Sequence, residues 1–296
     1  VEILLNWLSA LGTSVIILSA TLPQAQRAAL IRAYGVELEA TPEQMKTYPS
    51  LWVVRPGHPP YHLTPPAQQP NRRIQLRTLH LRDDAPKAQW LLDTIANGGC
   101  ACWITNTVNR AQQLFEALTF DPPPDVDLML LHARFPLEDR LALEKLLTDK
   151  YGPGGERPKR GIVVGTQVLE QSLDLDFDVM VSDLAPMDFL LQRAGRLQRH
   201  DRPRPAAFAD HPALWVNVAL DADGNPALGV DATIYDEFLL RQTWSTLQMY
   251  LKDGILLPHD YRPLVEAVYG ITEVALDNPL AEVWDKLQKK RSHAIK

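Results

Sequence analysis

Between residues 72 and 220, short apolar runs alternate with longer segments that place their apolar residues on one helical face. The runs that we interpret as strands are 74–81, 101–105, 128–131, 162–164, 179–181 and 213–218. Short strands without polar alternation are buried on both faces, and intervening helices imply parallel connections. The pattern therefore predicts an α/β domain over residues 72–220, with helices covering both faces of a parallel sheet.

The segments on either side of this domain have different patterns. Residues 15–18 are apolar and predict one further buried strand, and Pro23 and Gly35 suit the start and end of the helix that follows. Residues 41–71 are dense in proline, which predicts a linker or an extended crossover. Residues 221–296 are predicted to be mainly helical. We therefore expect four segments, 1–40, 41–71, 72–220 and 221–296.

Charge and cysteine content exclude some classes of protein. The chain has 296 residues, a formal net charge of −6 and two cysteines, Cys100 and Cys102. The acidic balance gives no sign of nucleic-acid binding, although a local basic groove can lie on an acidic body. Two cysteines cannot complete a four-ligand zinc site, so we predict no metal site and interpret both as core thiols of a reduced, cytoplasmic protein. No apolar run reaches the roughly 20 residues of a membrane-spanning helix.

The most specific motif is the octapeptide Q-R-A-G-R-L-Q-R at residues 192–199. Arg196 and Arg199 are three residues apart, and a helix over 188–199 would project both from one face. Two guanidinium groups on one face can bind the charge that spreads over a γ-phosphoryl group during its transfer. A solvated basic helix is the alternative interpretation of the octapeptide taken alone.

Other polar motifs directly follow predicted strands. They are Ser19-Ala20-Thr21, the run Thr105, Asn106 and Thr107, the run His132-Ala133-Arg134, and Gly165-Thr166-Gln167. Parallel α/β sheets bind ligands at the carboxyl ends of their strands. Hydroxyl and main-chain N–H groups at such a turn can hold a phosphate, so we expect Thr166 to lie in a phosphate-binding position.

In their order along the chain, these motifs resemble those of superfamily 2 helicases, in which Q-x-x-G-R-x-x-R is characteristic. The stretches LLHARF (130–135), TQVLEQSLDLDFD (166–178) and LQRAGRLQRH (191–200) are most similar to the CRISPR-associated helicase–nuclease of type I systems. The tail LPHDYRPLVEAVYG (257–270) fits the same family. The resemblance covers most of residues 1–270.

The resemblance implies that residues 72–220 form a second RecA-like motor lobe and residues 1–40 a remnant of the first. Arg196 and Arg199 would act as arginine fingers, and Gln192 would contact the γ-phosphate or its attacking water. The positions near the nucleotide would be Gly165, Gly195 and one of Asp174 and Asp176, with Asp176 the preferred match. The residues implied to contact the DNA backbone are Thr105, Asn106, Thr107, His132, Arg134, Thr166 and Gln167, and Ser19 and Thr21 would couple the two lobes.

Two motifs that the family requires do not occur in this sequence. It contains neither a G-x-x-x-x-G-K-[ST] P-loop nor a D-E-x-H motif. In the family both precede the Ser-Ala-Thr motif, as does the nuclease domain. We therefore expect a fragment that does not hydrolyse ATP alone and depends on a missing lobe to hold ATP and Mg²⁺. The intact prokaryotic protein would move along single-stranded DNA and be recruited by an RNA-guided CRISPR surveillance complex.

Other interpretations of the chain remain open at this point. It resembles, less closely, lobes of other superfamily 2 helicases that act on DNA or RNA, and a module that only binds DNA or a partner lobe is also possible. The upstream coding sequence and neighbouring genes would decide between these functions. His259-Asp260 is interpreted as a surface turn, and Trp90, Trp103 and Trp215 as packing residues rather than base-stacking ones.

Overall fold

The computed structural model describes residues 1–19, 21–38, 40–41, 43–44, 47–66, 71–170, 173–210, 212–275 and 277–294. By its internal packing the chain divides into two compact units. One unit comprises Val1–Arg72 and Leu256–Ala281, and the other comprises Arg73–Ile255 and Glu282–Lys296. The four segments expected from the sequence are stretches along the chain and not packing units, so their boundaries stay a prediction.

Nine strands and ten α-helices occur in the part of the chain that the structure describes. The strands are β1 (Leu51–Val53), β2 (Tyr61–Leu63), β3 (Arg72–Leu79), β4 (Gly99–Ile104), β5 (Asp127–Leu131), β6 (Arg160–Gly165), β7 (Val179–Asp183), β8 (Ala213–Asn217) and β9 (Ile255–Leu257). The helices are α1 (Glu2–Ala10), α2 (Gln24–Ala33), α3 (Asp84–Thr94), α4 (Val108–Thr119), α5 (Leu137–Tyr151), α6 (Met187–Ala194), α7 (Asp231–Ile234), α8 (Glu237–Tyr250), α9 (Tyr261–Tyr269) and α10 (Ala281–Ala294).

A seven-stranded sheet organises the larger unit, with the strand order β5-β6-β4-β7-β8-β3-β9. The pairings of β5 with β6, β6 with β4, β4 with β7, β7 with β8, and β8 with β3 are all parallel. Every residue of β4 and of β7 is buried, as expected for strands that helices cover on both faces. The α/β class and the six strands expected between residues 72 and 220 are confirmed.

One core lies between this sheet and helices α3 and α4. Leu91 of α3 and Leu114 of α4 pack with Trp103 of β4, which is completely buried. The rings of Trp90 and Trp215 meet edge to face at 5.1 Å, and Trp90 meets Trp103 in the same way at 6.3 Å. The expectation that these three tryptophans pack in the core is therefore confirmed.

Cys100 and Cys102 are free thiols inside the core of the sheet. Both lie on β4, and burial raises the pKa of each thiol above its ordinary range. The interpretation of both cysteines as core thiols is confirmed. Neither is positioned as an exposed, reactive thiolate.

One expectation for the smaller unit is wrong. Residues 15–18 form no strand, and Ile16 and Leu18 are exposed at 86% and 91%. An apolar run becomes a buried strand only when neighbouring strands pair with it, and here none does. The proline-rich segment, expected to be a linker or an extended crossover, contains β1 and β2, which pair antiparallel with Leu51 opposite Leu63. Its role stays a prediction.

The segment after β8 is mainly helical, as expected, with β9 as the exception. α8 packs on α6 of the sheet domain, and Phe238 of α8 contacts Trp284 of α10 at 4.7 Å between ring centroids. His259 and Asp260 lie in the turn that precedes α9, with His259 Nδ1 2.7 Å from the Asp260 carboxylate. Their interpretation as a surface turn is confirmed.

Candidate functional site

The polar motifs that follow β4, β5 and β6 meet at one edge of the sheet. The main-chain N–H of Thr105 donates to the carbonyl of Gly165 at 2.8 Å. The N–H of Thr166 in turn donates to the carbonyl of Leu131, the residue before His132, at 3.3 Å. The carboxyl ends of three neighbouring parallel strands therefore bring together residues such as Thr105 and Gly165, which are 60 residues apart in sequence.

Most of the donors expected at this edge are already used within the protein. The Thr105 hydroxyl donates to the carbonyl of Thr107 at 2.9 Å. The Asn106 amide donates to the carbonyl of Leu184 at 2.8 Å and to the Asp231 carboxylate at 3.0 Å. Thr105 and Asn106 are also buried, so neither presents a donor to solvent.

The predicted DNA-contact residues therefore fall into two groups by exposure. The buried ones are Thr105, Asn106, His132 and Thr166. The accessible ones are Arg134, which is exposed, and Thr107 and Gln167, which are partly buried. Thr107 also caps α4, accepting the Arg110 N–H at 3.1 Å. The accessible group therefore lies at the protein surface, where a ligand can reach it, whereas the buried group lies in the interior at the same edge of the sheet.

His132 is a core side chain at this edge. Its ring stacks on Phe135 with centroids 4.2 Å apart, and Nε2 lies 3.3 Å from the Gln112 amide. Burial lowers the pKa of His132, so the ring is neutral at pH 7. A neutral ring adds no positive charge at this edge, so Arg134 carries the charge of this motif.

Gly165 has a structural reason to be glycine. A Cβ at this position would lie 2.5 Å from the carbonyl oxygen of Leu131 and 2.6 Å from Cδ1 of Leu169. Those distances are below van der Waals contact, so any larger residue would push β5 away from the turn at Thr166. Gly165 thus lets β5 and the 3₁₀ turn Gln167–Leu169 close over the end of β6.

The second motif region begins on α6, and here the helical-face argument for the arginines is wrong. α6 ends at Ala194, and Gly195 is its C-cap, so Arg196 and Arg199 lie beyond the helix. The chain instead turns beside the segment before β7, where Phe177 N–H donates to the Arg196 carbonyl at 3.0 Å. Gln198 has a positive φ of 42° at this turn. Gln192 remains on the helix and is partly buried.

Asp174 and Asp176 are two residues apart and have opposite environments. Asp174 Oδ1 lies 2.6 Å from Arg199 Nε, and the two side chains are 45% and 40% exposed. Asp176 is completely buried, and its carboxylate accepts the main-chain N–H of Arg199 at 2.7 Å. Of the two candidates, Asp174 is the carboxylate that faces solvent beside an arginine, and Asp176 supports the turn.

A buried ionic cluster surrounds Asp176, and the motifs did not predict it. Arg202 Nε lies 2.9 Å from the Asp176 carboxylate and Arg204 Nη2 lies 3.0 Å from it. Arg204 also binds Asp178 at 2.7 Å, and Arg157 binds Asp178 at 2.6 Å. The available signal was the run H-D-R-P-R-P directly after the octapeptide, whose arginines resembled exposed loop charges.

A second buried ion pair, also missed, joins the two motif regions. Arg193 lies between Gln192 and Gly195 on α6, and its Nε donates to the Glu170 carboxylate at 2.6 Å. Both side chains are fully buried. The carbonyl of Glu170 also accepts a hydrogen bond from Arg196 Nη2 at 2.8 Å. Glu170 therefore contacts two arginines of the octapeptide from the segment that begins at Thr166.

The two motif regions lie at opposite edges of the sheet. Asp178 accepts the N–H of Cys100, at the start of β4, at 2.8 Å, whereas Thr105 follows the end of β4. Six residues of extended strand span about 20 Å. One edge therefore carries Arg134, Thr107 and Gln167, and the other carries Arg199 and Asp174.

Ser19 and Thr21 lie in the smaller unit, and the Thr21 N–H donates to the Ser19 hydroxyl at 3.3 Å. Ala20, between them, lies outside the described residues, as do Gln171 and Ser172 of the second motif. Across the described ranges, no group of three or more His, Cys, Asp or Glu side chains is arranged to hold a metal ion. A search of those same residues finds no helix long and apolar enough to span a membrane.

These features define an α/β lobe in which polar motifs follow the strands of a parallel sheet in helicase order. Residues 97–202 match the family model of the CRISPR-associated nuclease/helicase Cas3, C-terminal. The chain is 36% identical to the CRISPR-associated endonuclease/helicase Cas3 of Thermus thermophilus, over 90% of this chain and 32% of that protein. It is 36% identical to Cas3 of Escherichia coli, over 94% of this chain and 31% of that protein.

The chain therefore belongs to the Cas3 nuclease/helicase family and spans about a third of the length of those relatives. Solved structures agree with this assignment. The T. fusca Cas3-ATP structure is 30% identical, with a TM-score of 0.80 over 99% of this chain and 35% of that chain. A Cas3 chain in a CRISPR RNA-guided surveillance complex, pre-nicking, is also 30% identical, with a TM-score of 0.82 over 99% of this chain and 38% of that one.

Proposed function

We propose that this chain is the second motor lobe of an ATP-dependent helicase that moves along single-stranded DNA in type I CRISPR interference. The observation that carries the proposal is the pair of motif regions at opposite edges of one sheet, linked by the buried Glu170–Arg193 pair. A motor needs a nucleotide site and a DNA site that respond to each other, and this arrangement supplies one side of each.

At the nucleotide edge, Arg199 and Arg196 supply the positive charge. Arg199 is exposed and oriented by Asp174, and its main chain is fixed by Asp176. Preorganised guanidinium groups stabilise the charge that develops on a γ-phosphoryl group during its transfer. Gln192 and Gly195 complete the proposed region. Gly165 ends β6 at the opposite edge, so we propose that it acts by shaping the turn at Thr166 and not by contact with the nucleotide.

At the DNA edge, we assign direct backbone contacts to Arg134, Thr107 and Gln167, which are accessible. We propose that the buried residues at the same edge hold this accessible group in position. They are Thr105, Asn106, His132 and Thr166. Hydroxyl, amide and guanidinium groups on a phosphate backbone carry no base information, so binding is expected to be independent of sequence. Ser19 and Thr21 are proposed to couple this lobe to its partner lobe.

ATP and Mg²⁺ are proposed as ligands of the intact protein, by analogy with the ATP complex of T. fusca Cas3. The residues described here fit the phosphate end of ATP through Arg196 and Arg199, but they do not fit a Mg²⁺ site. The P-loop and the acidic motif that would hold Mg²⁺ do not occur in this sequence. We therefore propose that both ligands are held mainly by another part of the intact nuclease/helicase.

The proposed partners are single-stranded DNA, the nuclease domain and first motor lobe of the family, and an RNA-guided surveillance complex. The surveillance complex is proposed as a partner because a similar Cas3 chain is found in such a complex. A cytoplasmic, prokaryotic location fits these partners.

The test is substitution of Arg199 and of Arg196 by alanine in the intact nuclease/helicase that contains this chain. Each variant should lose DNA-stimulated ATP hydrolysis by about 10³-fold or more, since arginine fingers act on transition-state charge. Binding of a fluorescent single-stranded oligonucleotide should change little, because both arginines lie at the other edge. Hydrolysis by released phosphate and binding by anisotropy are measured on the same preparations.

Arg241→Ala is the matched control, because Arg241 forms a partly buried pair with Glu237 of the same helix, α8, at 2.8 Å. This variant should hydrolyse ATP normally. Near-normal turnover by Arg199→Ala or Arg196→Ala would remove that arginine from the proposed site. Loss of DNA binding in either variant would show that the two edges are not separate.

A further inference from the structure

Helix α9 contacts the residues that link the Ser-Ala-Thr motif to helix α2, within the smaller compact unit. Arg262 Nη1 donates to the carbonyl of Leu22, the residue directly after the motif, at 2.5 Å, although the two are 240 residues apart in sequence. A carboxylate oxygen of Glu266 accepts the main-chain N–H of Gln24 at 2.8 Å. Two side chains of α9 therefore hold the main chain on both sides of Pro23.

The Glu266 contact supplies a cap that the residues next to α2 do not provide. α2 begins at Gln24, and its N-cap residue, Pro23, has no side-chain acceptor and makes no capping bond. The first N–H groups of a helix lack partners within the helix and carry partial positive charge. The carboxylate of Glu266 satisfies the first of these groups from α9. The start of α2, which is also the end of the motif segment, therefore depends on a distant residue.

Both contacts involve charged side chains in a mostly buried environment. Arg262 is buried, Glu266 is partly buried, and Arg262 Nη1 lies 3.4 Å from the Glu266 carboxylate. A second buried guanidinium is close, because burial and the charge of Arg262 lower the pKa of Arg27 to about 10, whereas Glu266 raises it. Glu266 thus offsets the charge of two arginines while it caps α2. Hydrogen bonds of this kind, with an ionised partner, are stronger than neutral ones.

We infer that Arg262 and Glu266 are positioning residues for the segment that carries Ser19 and Thr21, acting through the main chain on both sides of Pro23. Residues 15–18, on the other side of the motif, form no strand, so the described contacts of α9 hold the segment from its carboxyl side. The inference rests on the proposed function, because it gives the pair a role in coupling only if Ser19 and Thr21 couple the two lobes. Two residues outside the helicase motifs then determine how efficiently ATP hydrolysis is converted into strand separation.

The experiment compares variants of the intact nuclease/helicase that contains this chain. Glu266→Ala removes the capping carboxylate, whereas Glu266→Gln keeps an oxygen that can accept the Gln24 N–H. Gln24→Pro removes that N–H without removing a buried charge, at the first helical position, where proline is favoured. Gln24→Ala keeps the N–H and is its matched control. Glu37→Ala is the control for Glu266→Ala, because Glu37 forms only an exposed pair with Arg32, near the other end of α2, at 3.7 Å.

The measured quantity is the number of base pairs separated per ATP hydrolysed, on a fluorescent partial duplex with an ATP-free blank, together with thermal unfolding. Glu266→Ala and Gln24→Pro should lower this ratio by about three- to tenfold, the effect of one lost hydrogen bond. Their ATP hydrolysis should stay close to that of the wild type, because the arginines proposed at the nucleotide edge are unchanged. Glu266→Gln should retain most of the ratio, and Gln24→Ala and Glu37→Ala should match the wild type. Thr21→Ala should also lower the ratio, and Gln24→Pro added to it should lower it no further.

The other outcomes separate the inference from the proposed function. If Thr21→Ala lowers the ratio and neither Glu266→Ala nor Gln24→Pro does, the positioning role is overturned and the coupling role of the motif stands. If Thr21→Ala leaves the ratio unchanged, the motif does not couple the lobes, and the inference fails with that part of the proposed function. A parallel fall in hydrolysis and strand separation, with a lower unfolding temperature in Gln24→Pro, would give α9 a general structural role and overturn the inference. If Glu266→Ala does not fold, Gln24→Pro and its alanine control decide.

Discussion

Asp176 accepts a hydrogen bond at 2.7 Å from the main-chain N–H of Arg199, yet the Asp176 side chain is fully buried and that of Arg199 is 40% exposed. A buried carboxylate thus fixes the backbone from which an exposed guanidinium projects. Arg202 and Arg204 neutralise the same carboxylate. The main chain of Arg199 is therefore anchored to a buried, ion-paired carboxylate inside the protein.

Asp176→Ala should destabilise the chain by about 3 kcal/mol or more, because removal of one partner leaves buried arginine charge uncompensated. Asp176→Asn keeps an acceptor for the Arg199 N–H and should lose less. Urea unfolding measures both variants. The control is Asp149→Ala, which breaks only the exposed pair with Lys145 and should leave the midpoint unchanged. Equal effects of Ala at positions 176 and 149 would argue against the buried cluster.

The chain alone should show no ATP turnover, with or without single-stranded DNA. The reason is the lack of a P-loop and of Mg²⁺-binding carboxylates in this sequence. Phosphate release by the purified chain, compared with a buffer blank, measures this directly. DNA-stimulated release above the blank would contradict the proposed division of roles between lobes.

Gly165→Ala should destabilise the chain by about 1–3 kcal/mol, because the new methyl group overlaps the Leu131 carbonyl and the Leu169 side chain. Gly195→Ala is the comparison, since its Cβ would come no closer than 3.2 Å to a neighbouring carbonyl and its backbone is αR. The denaturant concentrations at the unfolding midpoints of the two variants show which substitution lowers stability more. A larger loss at position 195 would show that the turn at Gly165 adapts more easily than its contacts suggest.

Stability should fall as the pH drops through about 6.5, and part of this fall should come from His132. Burial lowers the folded-state pKa of His132 below its ordinary value of 6.5, so the unfolded chain takes up the proton first. Unfolding free energies at pH 7.5 and 5.5 are compared for the wild type and His132→Gln. The variant should show a smaller difference, and an identical difference would mean that His132 titrates normally in the folded state.

The main-chain amides of residues 15–18 should exchange hydrogen quickly, because this apolar segment forms no strand and its side chains are exposed. The amides of β4 should be strongly protected by contrast, since β4 pairs on both sides with β6 and β7. Exchange followed by mass spectrometry measures both segments in one experiment. Protection of residues 15–18 in the monomeric chain would mean that the segment has found partners, whereas protection only after a first motor lobe is added would identify that lobe as the partner.

The sheet domain was predictable because its evidence is local. Runs such as 101–105 and 162–164 are apolar without alternation, which is the pattern of strands buried on both faces. The residues that follow them are placed at the sheet edge by the parallel connections alone. The same argument failed for residues 15–18, because a strand needs partners and a sequence window does not contain them.

The α/β class, the order of strands and helices between residues 72 and 220, and the placing of motifs at strand ends all follow from local patterns of amino acids. Which of those motif residues are accessible depends on how the elements pack. Asp174 and Asp176 look alike in sequence, yet one is exposed and the other buried among arginines from residues 157, 202 and 204. Arg196 and Arg199 fit a helical pattern, yet the helix ends at Ala194, where the chain begins to bond to the segment before β7. Burial and pairing depend on residues far away along the chain, and these contacts form only when the sheet assembles.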